Sequence, residues 1–300
     1  MWVRMSTPRV RVLKESLLST KPEISVERAL LITESYKETE QEPVVIRRAK
    51  ALEKTLENIS IYILPQEIIV GNIAHKQRAA PVFPEYDVDF LEKELDEFEK
   101  RPGDAFSISE DDKKRLREIL PYWKGKTVKE TVYAMCPDET LKAGEGGFGY
   151  AGVGVADSTW EVENGDGHII VGYDKILKMG LGGIIEEAKK HLDKLDLTQP
   201  ENISKYQFLK AVAIAVEAAV GFAKRYSALA KEMAQKTNEP GRREELERIA
   251  DVCAWAPENP ARTFHDVLQS IWYVQAILQI ETNGHSISLG RLDQYTYSYF

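Results

Sequence analysis

Cysteine is nearly absent. Cys136 and Cys253 are the two in 300 residues, which excludes a disulfide framework and a Cys-x-x-Cys metal spacing and makes a reducing cytoplasm the expected setting. No His-x-x-x-His pair occurs, so a metal centre is not expected either. No run reaches the roughly 18 apolar residues that a membrane span needs; the best stretch, 211–223, is interrupted by Glu217. The segment from Met1 to Arg11 mixes Trp2 and Val3 with Arg4, Arg9 and Arg11 and lacks the apolar centre of a signal peptide. No basic stripe offsets the net charge of -8, so neither nucleic acid nor a membrane is an expected partner. Internal repeats and low-complexity segments are also missing.

What is present is ample core material. Hydrophobic residues make up 43% of the chain and charged ones 29%, the balance of a globular protein. Helix signals dominate. Pro8 can open a first helix, Ser25 can cap a second that carries Val26, Ala29 and Leu30 on one face, and Pro43 fits the first turn of a third. The β-branched runs 61–64 and 68–70, split by Pro65, read as short strands. A proline-rich loop follows over 71–86, with Arg78 available to an anionic substrate or to a carboxylate. A short acidic helix is expected over 90–100. Ser109 before Glu110, Asp111 and Asp112 is a good helix start, and the helix should stop at Leu120 before Pro121. Further helices are expected over 128–134, 173–192, loosened by Gly180, Gly182 and Gly183, 206–236 and 240–252. Thr263 is placed to cap a last one from Phe264. Cys253, beside Ala254 and Trp255, reads as a buried, unreactive thiol, and His265 as structural.

Three stretches carry candidate chemistry. The glycine-rich run 141–160 fits a Gly-x-Gly-x-x-Gly pattern formally, but no strand precedes it and no helix follows, so dinucleotide binding is rejected. A substrate-shaping loop is the better reading. In 163–177, Asn164-Gly165 and Asp166-Gly167 are turn dipeptides that place His168 at the head of a short apolar run before a helix. In 279–295, Asn283-Gly284 ends the long apolar helix, and His285 and Ser286 emerge where it would have continued. Gly284-x-Ser286-x-Ser288 fails the hydrolase elbow, which needs a final glycine.

Asn283-Gly284-His285-Ser286 with Gly290-Arg291-Leu292-Asp293-Gln294-Tyr295, the segment Pro257 to Trp272, Arg78 to Tyr86 and the His168 stretch together resemble the glycyl radical enzymes of the pyruvate formate-lyase and glycerol dehydratase group, most closely the dehydratase and lyase branch. The resemblance implies an α/β fold: a ten-stranded barrel made of two half-barrels wrapped by helices. Residues 1–300 are then its N-terminal part, predominantly helical with few strands, continuing into further polypeptide. It also implies a glycyl radical installed after translation, no permanently bound cofactor, a cysteine that abstracts substrate hydrogen, an activating enzyme of the radical S-adenosylmethionine type, and a homodimer or larger homo-oligomer. The family's Gly-Cys-x-Glu loop and Arg-Val-x-Gly segment are not found in the 300 residues.

The substrate side carries over residue by residue. By resemblance, His285 and Ser286 bind substrate hydroxyls and His168 stands near the departing one. Loss of hydroxide is helped by a proton, which imidazole can supply near neutrality, and a serine hydroxyl can both donate and accept. Arg291 and Asp293 are expected to pair and brace the loop. The leading expectation is a radical dehydratase or lyase acting on a small polyol or related molecule. Alternatives are formate C-acetyltransferase chemistry of the pyruvate formate-lyase type, which needs two adjacent cysteines, and a non-catalytic helical module of the same fold.

Overall fold

Thr7 accepts the Val10 amide and Pro8 takes the first helical position, so α1 (Pro8–Ser19) begins where proline costs no hydrogen bond. The computed structural model describes residues 6–139, 165, 167–284 and 286–300. The glycine-rich run 141–160 lies outside them, as does His285.

After α1 comes β1 (Glu23–Ser25), then α2 (Glu27–Glu38) and α3 (Val44–Asn58). Ser25 is therefore the end of a strand rather than a helix cap. It lies opposite Pro81 in β2 (Ala79–Pro81), which runs parallel to β1, and its hydroxyl meets His75 Nδ1 at 3.2 Å. The N-cap place goes to Val26, which has no capping side chain. Pro43 likewise caps α3 from outside its first turn.

The two strands expected over 61–64 and 68–70 do not form. Side chains take the backbone groups that a neighbouring strand would have paired. Asn72 accepts the Tyr62 amide at 3.2 Å and donates to the Ser60 carbonyl at 3.0 Å. Gln269, fully buried, accepts from Val70 N at 2.9 Å and donates to Val70 O at 2.6 Å. Arg242 donates to the carbonyls of Leu64 and Glu67 at 2.9 and 2.8 Å. The segment turns at 65–66, bends at 68–69 and belongs to no sheet.

α4 (Val88–Glu94) begins earlier than expected and ends sooner, and α5 (Glu110–Trp123) is capped by Ser109 as its sequence indicates. It runs past Pro121, because Trp123 is buried against α2 and its indole donates to Thr33 Oγ1 at 2.8 Å. A proline in a last turn removes one bond, and this packing outweighs it. α6 (Val128–Met135) has a full capping box from Thr127 and Glu130. α7 (Tyr173–Leu192), α8 (Glu201–Lys236), α9 (Pro240–Trp255) and α10 (Phe264–Thr282) follow, and α11 (Leu292–Tyr295) is a single turn near the end. Among the described residues the fold is thus predominantly helical, with one two-stranded parallel sheet.

Among the described residues two large apolar centres result, beside a small one of Ile46, Ala49 and Ala211. One gathers Leu56, Leu177, Phe222, Tyr226, Leu246, Cys253, Tyr273 and Ile280 from α3 and α7 to α10; the other gathers Ile24, Ala29, Ile32, Leu91, Leu116, Leu120 and Trp123 around α2, α4 and α5. α8 is long and apolar enough to cross a membrane, contrary to the run-length reading. In this fold α3, α7 and α9 pack along it, and its Ala218, Phe222, Ala223, Tyr226 and Ala230 lie in the first centre.

Candidate active site

α10 delivers the site loop. Thr263 and Asp266 form a capping box at its start. At its end Asn283 and Gly284 both turn left-handed, with φ of 61° and 74°, as the Asn-Gly pair indicates. A methyl group on Gly284 would stand 2.2 Å from Gln279 Cγ, so the sharp exit needs glycine there.

The loop then runs beside the His168 stretch. Ser288 N donates to Ile169 O at 2.9 Å, and Ile170 and Ser288 form a parallel bridge. Two residues before each of these stand His168 and Ser286. Both are exposed, and both adopt positive φ, 41° and 58°, a conformation uncommon outside glycine and found where surrounding structure enforces it. At Gly165 the two stretches approach so closely that a methyl group would stand 2.2 Å from the Thr282 carbonyl oxygen. The bridge thus joins the two stretches that carry these sequence-predicted residues, which lie about 120 positions apart in the chain. The third, His285, falls outside the described residues.

Tyrosines and a glutamine brace this arrangement. Tyr173, first residue of α7, receives a hydrogen bond from Gln275 of α10 at 2.8 Å and stacks on Tyr295 with ring centroids 5.5 Å apart. Burial pushes the Tyr173 phenol up to about 12, so it remains a neutral hydrogen-bonding group. Tyr295 Oη donates to Leu289 O at 2.7 Å. Arg291 and Asp293 pair at 3.6 Å as expected, but both are largely exposed, which gives the pair little energetic weight. His265 donates to Ile68 O at 2.8 Å and is structural. Arg78 is also tied down, donating to Thr20 O at 3.1 Å. Among the described residues no three His, Cys, Asp or Glu side chains are grouped as metal ligands.

Beneath the loop lies a charged lattice that sequence reading missed. Arg28 of α2 is buried, stacks 3.8 Å above the Phe83 ring and binds Glu85 through two bonds of 3.1 and 2.5 Å. Arg48 of α3 binds the same carboxylate at 3.1 Å and also that of Glu281. Burial alone would raise the Glu85 carboxyl, but Arg28 and then Arg48 outweigh it and hold it below the usual carboxylate range. One signal was available: Arg28 lies on the same helical face as Ile32 and Ser35, the face α2 buries.

Against known proteins, the family description "Pyruvate formate lyase-like" matches residues 1–300. The chain belongs to this family of glycyl radical enzymes. It is 39% identical over 293 residues to the probable dehydratase YbiW of Escherichia coli, covering 97% of this chain and 35% of that protein. To the isethionate sulfite-lyase of Nitratidesulfovibrio vulgaris it is 37% identical, covering 99% and 36%. Among solved structures, the glycerol-bound B12-independent glycerol dehydratase from Clostridium butyricum superposes with a TM-score of 0.91 at 41% identity, covering 99% of this chain and 37% of that one. A structure from Roseburia inulinivorans described for 1,2-propanediol dehydration gives 0.92 at 41%, covering 98% and 34%. The chain thus spans little more than a third of the relatives it matches. Those relatives include glycyl radical dehydratases and lyases acting on small polyols or sulfonates.

Proposed function

We propose that these residues form the substrate-holding part of a longer glycyl radical dehydratase or lyase that acts on a small polyol or a related molecule. Within that protein, residues 1–300 would be the helical outer layer and the start of the first half of a ten-stranded barrel. When present, the radical machinery removes a substrate hydrogen; its glycine and cysteine would come from polypeptide other than these 300 residues. This chain's own part is to bind and to manage the proton. His285 and Ser286 hold substrate hydroxyls, Ser286 by donating and accepting, and His168 gives a proton to the departing hydroxyl oxygen so that water rather than hydroxide leaves. The cytoplasm, an activating enzyme of the radical S-adenosylmethionine type and a homo-oligomeric assembly belong to the same reading.

The observation that supports it is the parallel bridge between Ile170 and Ser288, which joins the stretch of His168 to that of Ser286. Relatives described for glycerol, 1,2-propanediol and isethionate supply the substrate class.

The test uses the full-length protein, activated without oxygen and offered glycerol, 1,2-propanediol and isethionate. His168→Ala is expected to lower turnover by about 100-fold or more, the usual worth of a positioned proton donor, while His265→Ala leaves most activity. Equal losses from the two substitutions would overturn the assignment.

A further inference from the structure

The last turn of a helix leaves its carbonyl oxygens without partners inside the helix. In α10 two of them, those of Ile280 and Glu281, are taken by arginines from two other helices. Arg28 Nε donates to Ile280 O and its Nη2 to Glu281 O, the latter at 3.1 Å. Arg48 Nη2 also donates to Glu281 O, while Arg48 Nε meets the Glu281 carboxylate and Arg48 Nη2 reaches the Tyr86 hydroxyl at 3.3 Å. Glu85 bridges both guanidinium groups, so two positive and two negative charges are gathered around one helix end. Cations there also complement the negative end of the helix dipole. Asn283, the next residue but one, is where the chain leaves the helix toward Ser286.

We infer that Arg48 and Glu281, backed by Arg28 and Glu85, are positioning residues that fix where the loop 283–288 departs from α10 and hence where Ser286 stands relative to His168. The inference rests on the proposed function for its catalytic meaning, but its structural half stands by itself. A lattice whose role was only general stability would loosen the whole fold when weakened. The bonds of Arg48 to α10 end on Glu281, two residues before the loop begins, so weakening them is expected to act first at 283–288. Arg48 is the member to alter: its side chain keeps 25% exposure against 2% for Arg28, and removing a partner from a fully buried pair risks unfolding.

The experiment compares Arg48→Met, Arg48→Lys and Glu281→Gln in the full-length protein by amide hydrogen exchange, with 246–256 of α9 as the internal reference, and measures turnover alongside. Arg48→Met is expected to speed exchange over 283–288 by about tenfold, the worth of a charge-assisted hydrogen bond, with the reference unchanged. Arg48→Lys keeps the charge but not the fork and should fall between wild type and Met, and Glu281→Gln should resemble Lys. Turnover should follow the same order. Equal acceleration in both segments, or none at 283–288 in any of the three variants, overturns the inference. A wild-type protein inactive on every compound offered would refute the proposed function while leaving the exchange result to decide the positioning role.

Discussion

At the scale of single residues, the two thiols show how far local context reaches. Cys253 was legible as buried from Ala254 and Trp255, and it is: it sits at 1% exposure with the Tyr273 hydroxyl donating to its sulfur at 3.0 Å. Burial pushes its thiol up to about 12. Cys136 ends α6 and is only partly buried. Alkylation of the native protein followed by peptide mapping should therefore label Cys136 first and Cys253 only once denaturant is added; the reverse order would contradict this packing. Asn283-Gly284 was equally readable, because few residues accept left-handed backbone. Arg28, Arg48 and Glu85 were not. Arginine on a helix usually lies on a solvated face, and which carbonyl it meets is settled by a segment more than 200 positions away, as in Arg28 with Ile280.

Elements were legible where their signals are local. Caps at Ser109 and Thr263 and proline at position 8 mark helix starts that the chain adopts. The strand readings failed because β-branched runs state only a preference for extension, and Asn72, Gln269 and Arg242 supply the partners from elsewhere in the sequence. α7 is the sharpest case. Gly180 stands at φ 69°, ψ 166°, a region open essentially to glycine, and the break lets residues 257–261 dock, with Leu181 N on Pro257 O and Ala261 N on Leu177 O at 2.8 and 3.0 Å. A methyl group there would also stand 2.1 Å from Glu258 O. Gly180→Ala should cost about 3 kcal/mol or more in urea unfolding. Gly221→Ala, inside α8 with nothing within 4 Å of the added carbon, should be neutral or stabilising by up to about 1 kcal/mol. Comparable losses at both positions would show that the break in α7 is not what holds 257–261.

For the whole molecule, the lattice of Arg28, Glu85, Arg48 and Glu281 ties the centre around α2 to the one around α10. Because Glu85 is held below the usual range in the folded state, its contribution is fully present above the ordinary glutamate value of about 4.3 and disappears as pH falls through the lowered one. Urea midpoints measured from pH 7 down to the acid range should therefore fall, and Glu85→Gln should make that fall shallower; an unchanged slope would remove Glu85 from the account. The predominantly helical character was legible in the sequence, but the pairing of the stretches that carry His168 and Ser286 was not, since it depends on a register set between distant segments. α10 is held at its two ends. Nineteen residues long, it spans about 28 Å, is gripped at its start by its capping box and the Arg262 pairs to Asp251 and Asp266, and is gripped at its far end by Arg28 and Arg48. Fastened at both ends, α10 holds the start of the loop that leads to Ser286 at a set separation from the Arg262 end.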